Sequence, residues 1–256
     1  MHPVELTTER LLLRPFQPAD AAQVYEICQD AEIQRFTTVP SPYTPAHAHG
    51  FCATVCPAGW EAGNRLTWAI VPRPSAAALQ HLDPTTILGN VVLMQREFVL
   101  RSYPDGSHGS DGEAAQQATI VGGGEADVRE GLWEIGYWMN PLHRRKGYLT
   151  EALEALLQWA FFDSPTTTTA SPSAQQLTRD RVKIIGWRAQ VGNHASRKII
   201  APLGFVESSP EQPIRNVRFV PGAALIDIWS ARLTRDDFVR ALRARGRSVR
   251  PSSIAP

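Results

Sequence analysis

The segment that most restricts the fold of this 256-residue chain runs from Trp133 to Phe162. Trp133 to Met139 reads as a strand, stopped at Pro141. A basic turn with a glycine follows, His143-Arg144-Arg145-Lys146-Gly147. From Thr150 to Phe162 a helical stripe takes over, carried by Ala152, Leu153, Leu156, Leu157, Ala160 and Phe161. Such a turn points backbone N–H groups outward at a helix N-terminus. The first donors of a helix have no intrahelical partner, and the macrodipole adds partial positive charge. The result is an anion site suited to phosphate or pyrophosphate. Arg144, Arg145 and Lys146 add full charges there. A basic helix start that faces only water is the competing reading of this segment. Neither a Gly-x-x-x-x-Gly-Lys-Ser/Thr nor a Gly-x-Gly-x-x-Gly pattern accompanies the strand, which argues against a P-loop nucleotidase and a dinucleotide-binding fold.

The rest of the chain supplies more elements of both kinds. Leu11 to Phe16 is a short apolar run stopped by Pro15 and reads as a strand. Pro18-Ala19-Asp20 opens a helix with Val24 and Ile27 inward. Thr44 before Pro45 is an N-cap signature and predicts a helix from about Pro45 to Val55. Leu66 to Val71, Ile87 to Met94 and Val182 to Arg188 read as strands. Asn193 to Leu203 reads as a short helix with Gly204 past its end. Leu225 to Leu233 reads as a long strand, and Thr234 caps a final helix carrying Phe238, Val239 and Leu242. This order predicts an α/β chain with a mixed sheet and helices on both faces.

Periodicity lapses twice. Residues 102–131 hold Ser107 to Gly112 and the run Gly122-Gly123-Gly124, and residues 164–180 hold four consecutive threonines, Thr166 to Thr169. Both read as flexible insertions within one domain spanning residues 1–256. They account for part of the chain's 18 Gly and 20 Pro. Arg240, Arg243, Arg245, Arg247 and Arg250 make the C-terminus locally basic, with a tail from about residue 245.

Charge and cysteine content narrow the class. The formal net charge is +1, which argues against a nucleic-acid partner engaged through bulk charge. No apolar run is long enough to span a membrane, and the first residues lack a secretory signal. The odd set Cys28, Cys52 and Cys56 points to a reducing, cytoplasmic setting rather than a disulfide framework. His47, His49, Cys52 and Cys56 crowd one segment, but a single continuous segment rarely wraps a tetrahedral metal. They read as a helix face, and no metal site is expected. No pattern specifies an oligomeric state.

At this point a resemblance enters. Arg144-Arg145-Lys146-Gly147-Tyr148-Leu149 resembles motif A of the GNAT acetyltransferases, Arg/Gln-x-x-Gly-x-Gly/Ala, with Leu149 in the last, usually small, position. Glu9 to Pro15, followed by Asp20, resembles the opening of the Rim-type, ribosomal-protein-acetylating branch. Asn193-His194-Ala195-Ser196 with Gly204-Phe205 resembles its motif B, with Ala201-Pro202 where Glu-Lys is usual. Asp227, Trp229-Ser230 and Thr234 to Phe238 resemble its closing strand and helix.

The resemblance implies a mostly antiparallel sheet with a splayed cleft between the fourth and fifth predicted strands. It implies acetyl-CoA as co-substrate and direct acetyl transfer to a primary amine, with a protein N-terminal amine as one acceptor. A small-molecule amine such as an antibiotic or polyamine stays open, as does a non-catalytic acyl-CoA-binding or sensing module. The pyrophosphate would rest on the turn Arg144, Arg145, Lys146, Gly147, Tyr148, Leu149 and Thr150. The pantetheine would lie along Tyr137, Trp138, Met139 and Asn140, with Asn193 on its amide. A backbone N–H near Met139 would meet the thioester oxygen as it gains charge. Glu134 is the candidate base, directly or through water; a carboxylate paired with a neighbouring strand is its other reading. Ser196 is the candidate acid at the sulfur. Phe36 and Tyr43, with Tyr25 and Trp68, are candidate walls of an acceptor pocket, although aromatics are more often core. Asp227 is a candidate partner for a substrate ammonium.

Overall fold

The computed structural model describes residues 2–95, 132–162, 182–208, 211–217, 224–249 and 253–254. The two expected insertions, and residues 250–252 and 255–256 of the basic tail, lie outside these.

The elements, in chain order, are β1 (Leu6–Thr7), β2 (Leu11–Pro15), α1 (Ala21–Ile27), α2 (Ala31–Phe36), α3 (Pro45–Gly50), α4 (Cys56–Ala62), β3 (Arg65–Pro72), β4 (Gly89–Gln95), β5 (Leu132–Met139), α5 (Tyr148–Phe162), β6 (Ile184–Gln190), α6 (His194–Ile200), β7 (Val206–Glu207), β8 (Ile214–Val217), β9 (Ile226–Thr234), α7 (Arg235–Ala244) and β10 (Ser253–Ile254). The sheet order is β10-β1-β2-β3-β4-β5-β6-β9-β7, with β8 also on β9. Among the described strands every pairing is antiparallel except β5–β6. That parallel pair needs a crossover, which α5 supplies.

Side-chain alternation sorts the sheet into two faces. Leu66, Trp68 and Ile70 of β3 join Leu153, Leu156 and Leu157 of α5 and Phe238 and Leu242 of α7 in the larger core. Ala69 and Val71 of the same strand turn to the other side, with Val24, Ile27, Ile33, Ala48, Cys52 and Cys56 from α1–α4. The mixed sheet with helices on both faces is therefore the observed architecture. Arg14 and Asp20, both buried, form a two-pronged ion pair with 2.8 Å contacts, and Asp20 also accepts the Gln17 N–H. This buried pair fixes how the end of β2 turns into α1.

Three local outcomes differ from the sequence reading. First, the six-residue α2 is new; Asp30 caps it by accepting the Ile33 N–H. Second, the helix expected to end at Val55 runs on to Ala62, across Pro57. A π-helical turn at Phe51–Val55 shifts the hydrogen-bond ladder there, and the Cys56 N–H reaches back to Phe51. An interior proline lacks a donor and normally interrupts a helix, so the widened turn precedes it. Third, the C-terminal arginines are partly structural. Arg245 and Arg247 both pair with Glu154, a buried carboxylate on α5.

Candidate functional site

The site begins where the sheet opens. Among the described residues β5 and β6 pair at three positions, Leu132↔Ile184, Trp133↔Ile185 and Glu134↔Gly186. Beyond Glu134 the strands diverge, β5 staying on β4 and β6 on β9. The N–H groups of Trp138 and Asn140 point toward β4, to Asn90 Oδ1 at 3.0 Å and Leu88 O at 2.9 Å. By the alternation of a strand, those of Tyr137 and Met139 point into the opening. A cleft of about 1370 Å³ occupies it, running from the α2–α3 side, past the splayed strands, to the start of α5.

The turn at the cleft's far end has the conformation an anion cradle requires. Arg145 and Gly147 both have positive φ, 63° and 78°, and α5 starts at Tyr148. The Glu151 N–H is bonded to Gly147 O. The preceding Tyr148, Leu149 and Thr150 N–H groups belong to the first turn and have no intrahelical acceptor. Leu149, in the position expected to be small, is buried in the core, so its bulk lies within the protein. Arg10 braces the turn from β2's side. Its guanidinium donates to Glu151 and to Lys146 O and lies 4.8 Å over the Tyr148 ring centre.

The three cations of the turn are not equivalent. Arg145 and Lys146 are exposed. Arg144 instead reaches Asp30 and Glu32, each at 2.6 Å, and Met139 O at 3.3 Å. It fastens α2 to the turn. The nearby His143 is buried, its Nδ1 without a hydrogen-bond partner. Burial, then Lys146 and His81, hold its imidazole below the ordinary range.

Ser196 sits in a hydrogen-bonded triangle. Its Oγ is 2.9 Å from the Tyr137 hydroxyl, and Trp187 Nε1 lies 3.0 Å from that hydroxyl and 3.1 Å from Ser196 Oγ. Burial pushes the Tyr137 phenol up to about 12. Indole donates but does not accept. One hydroxyl must donate to the other: with Tyr137 as donor the Ser196 hydrogen is left for a ligand, and with Ser196 as donor the Tyr137 hydrogen goes to Ser196 O at 3.3 Å. Asn193 caps α6 through the Ser196 N–H.

Glu134 lies on the opposite face of β5 from Tyr137, three residues away. It is 4% exposed, and Arg188 of β6 meets it at 2.9 Å and 3.4 Å. The pairing with a neighbouring strand is thus realised, while Glu134 still lines the cleft.

Of the remaining expected residues, Phe36, Tyr43, Trp138, Met139, Arg144, Arg145, Gly147, Tyr148, Leu149, Thr150, Asn193 and Ser196 all border this one cleft. Asn140 does not; it spans Ile87 O and the Leu142 N–H. Lys146 faces solvent at the rim. Asp227 is exposed and accepts the Asn216 N–H, while Ile226 beside it turns to the cleft. Trp68 is core, edge-on to Trp60 and Trp159. His47 and His49 are exposed while Cys52 and Cys56 are buried, so the four candidate metal ligands do not converge. Among the described residues no group of three or more His, Cys, Asp or Glu is placed to hold a metal ion. No described helix is long and apolar enough to cross a membrane. Sequence reasoning named Tyr137 only as part of the strand along which the pantetheine would lie, and did not single out Trp187 or Arg188. Each is joined to its partner only by strand register, although Tyr137's place in an apolar strand beside the basic turn was a signal.

The acetyltransferase (GNAT) domain family matches residues 10–206, and the chain belongs to that family. The uncharacterized N-acetyltransferase YjdG of Bacillus subtilis (strain 168) is 36% identical over 91 residues, covering 34% of this chain and 44% of that protein. The chain thus matches less than half the length of this curated relative. RimL, a ribosomal L7/L12 alpha-N-protein acetyltransferase solved in complex with coenzyme A, aligns with a TM-score of 0.57 at 13% identity, over 92% of this chain and 99% of that one. The ribosomal-protein-S5-alanine acetyltransferase of Vibrio fischeri aligns with a TM-score of 0.55 at 15% identity, over 92% and 98%. At these identities the likeness is one of fold.

Proposed function

We propose that the protein is an acetyl-CoA-dependent N-acetyltransferase that transfers the acetyl group directly to a primary amine, with a peptide N-terminus as the acceptor class. The observation that carries this reading is the splay between β5 and β6. It opens onto the α5 turn at one end and separates a hydroxyl cluster from a carboxylate on opposite sheet faces. The names of the structural neighbours RimL and the S5-alanine enzyme support a peptide acceptor. Three free, buried thiols support a reducing, cytoplasmic location.

The residues present fit acetyl-CoA. The first-turn N–H groups of Tyr148, Leu149 and Thr150 receive the pyrophosphate, with Arg145 and Lys146 at the rim and Arg144 holding the turn against α2. The free edge of β5 offers backbone groups to the pantetheine. Acetyl-CoA supplies an activated thioester acyl group to this site. The N–H groups of Tyr137 and Met139 face the opening and serve the oxygen as it gains charge. An amine must lose a proton to attack. Glu134 accepts that proton through a water, because its oxygens are turned to Arg188. On the other face Ser196 donates its hydroxyl proton to the departing thiolate, Tyr137 relays its own to the serine, and solvent in the open cleft returns a proton to Tyr137.

The test is release of CoA from acetyl-CoA with short peptides bearing free N-termini, alongside calorimetric titration of acetyl-CoA. Turnover above the hydrolytic background is expected. Binding without turnover on any amine would leave the non-catalytic acyl-CoA-binding module as the correct reading, and no binding would overturn both.

A further inference from the structure

Arg65, the first residue of β3, is a cleft-lining cation that the proposed chemistry leaves unused. Its partner in the β3–β4 ladder is Met94, and Met94 in turn faces Glu134. Arg65 and Glu134 therefore lie on one face of the sheet, two strands apart, or about 10 Å. Both line the cleft. The described lining carboxylates are Glu32 and Glu134, and each is taken by an arginine, Arg144 and Arg188. Among the described residues Arg65 has no such counter-charge. Its Nε is buried without a hydrogen-bond partner, and among the described residues it makes no ion pair. The nearby Cys56 thiol does not neutralise it, since burial pushes that thiol up to about 12.

A partly buried guanidinium without a partner is costly unless something supplies an anion. Resting on the acetyltransferase reading above, we infer that the acceptor is an amine that also carries an anionic group, a carboxylate or phosphate held by Arg65 while the amine faces Glu134. Guanidinium suits both groups, because its forked donors match their paired oxygens. The same arrangement discriminates against polycations. Spermidine would bring an ammonium against Arg65, and no described lining carboxylate stands free of an arginine to receive it.

The test uses pairs of amines that differ in the anion alone, titrated by calorimetry into the CoA-saturated protein. Glycylglycine is compared with glycylglycinamide, and O-phosphoethanolamine with ethanolamine. The anionic member of at least one pair is expected to bind about tenfold tighter or more, the value of a charge-assisted hydrogen bond. Preference in the first pair assigns a carboxylate, and in the second a phosphate. Arg65→Gln removes the preference, whereas Arg65→Lys, which keeps the charge without the fork, retains part of it. A thermal melt establishes that both variants fold. Equal affinity within both pairs, a preference that survives Arg65→Gln, or spermidine as the tightest ligand would overturn the assignment. CoA release is measured on the same amines. A binding preference that depends on Arg65 without CoA release supports the anion site and counts against acetyl transfer.

Discussion

The Tyr137 hydroxyl and Ser196 Oγ lie 2.9 Å apart, joining the free edge of β5 to the first turn of α6, with Trp187 Nε1 donating to the pair. The contact links the strand that would carry the acyl donor to the helix that would carry its proton source.

Ser196→Ala removes that source and is expected to lower kcat by about 10²-fold or more, with acetyl-CoA affinity little changed. Tyr137→Phe keeps the ring and loses the hydroxyl's contacts with Ser196 Oγ, Ser196 O and Trp187 Nε1, for a fall of about tenfold. Steady-state kinetics with calorimetric Kd values check both. Unchanged kcat in Ser196→Ala would remove the serine from the chemistry.

Glu134 and Arg188 have side chains only 6% and 7% exposed. Breaking a buried pair from one side leaves a charge uncompensated, so Glu134→Gln is expected to cost about 3–5 kcal/mol of stability. Replacing both, as Glu134→Gln with Arg188→Met, should recover most of it. Chemical denaturation measures the cycle. A rate that stays low in the restabilised double variant assigns Glu134 to proton transfer, and a rate that recovers assigns it to structure.

Gly147 holds a φ of 78° at the mouth of α5. A Cβ there imposes a strain of about 1–2 kcal/mol. Gly147→Ala is expected to weaken acetyl-CoA binding as the turn relaxes. Glu151→Gln should act in the same direction, because Glu151 holds Thr8 and Arg10 against the turn. Isothermal titration of acetyl-CoA reads both, and wild-type affinity in both variants would show that this turn is not the phosphate cradle.

Burial raises the Cys28, Cys52 and Cys56 thiols from 9.0 to about 12. The folded chain holds protons that the unfolded chain releases above pH 9. This contribution to stability is therefore complete below pH 9 and is lost as pH rises from 9 toward 12. Urea midpoints should fall between pH 8 and pH 10.5, and a Cys28→Ala, Cys52→Ala, Cys56→Ala variant should show a flatter dependence. An equally steep decline in that variant would assign the effect elsewhere.

What could be read in the sequence is what is local. Gly147 in a basic turn, the stripe from Ala152 to Phe161 and the Thr44 and Thr234 caps each act within a few residues, and each stands where expected. The Tyr137–Trp187–Ser196 triangle, the Glu134–Arg188 pair and the turning of Arg144 onto α2 depend on which strand lies beside which. Register carries no local signature once both partners are single polar residues in apolar strands. The helix across Pro57 was hidden for another reason. Proline forbids a regular ladder, and only the widened turn before it lets the helix continue. Asp227 shows the opposite limit, because a shift of one residue along β9 decides whether a side chain meets the cleft or solvent.

The three-position pairing of β5 with β6 also has a mechanical meaning. Among the described strands it is the one parallel seam, and it joins a larger half, β10 to β5, to a smaller one built on β6 and β9. A ligand lying along the open edge adds backbone-like hydrogen bonds where the two halves have none. Occupancy would then act as a splint across the weakest line of the sheet, slowing amide exchange in β6 and β9 as well as at the residues it touches.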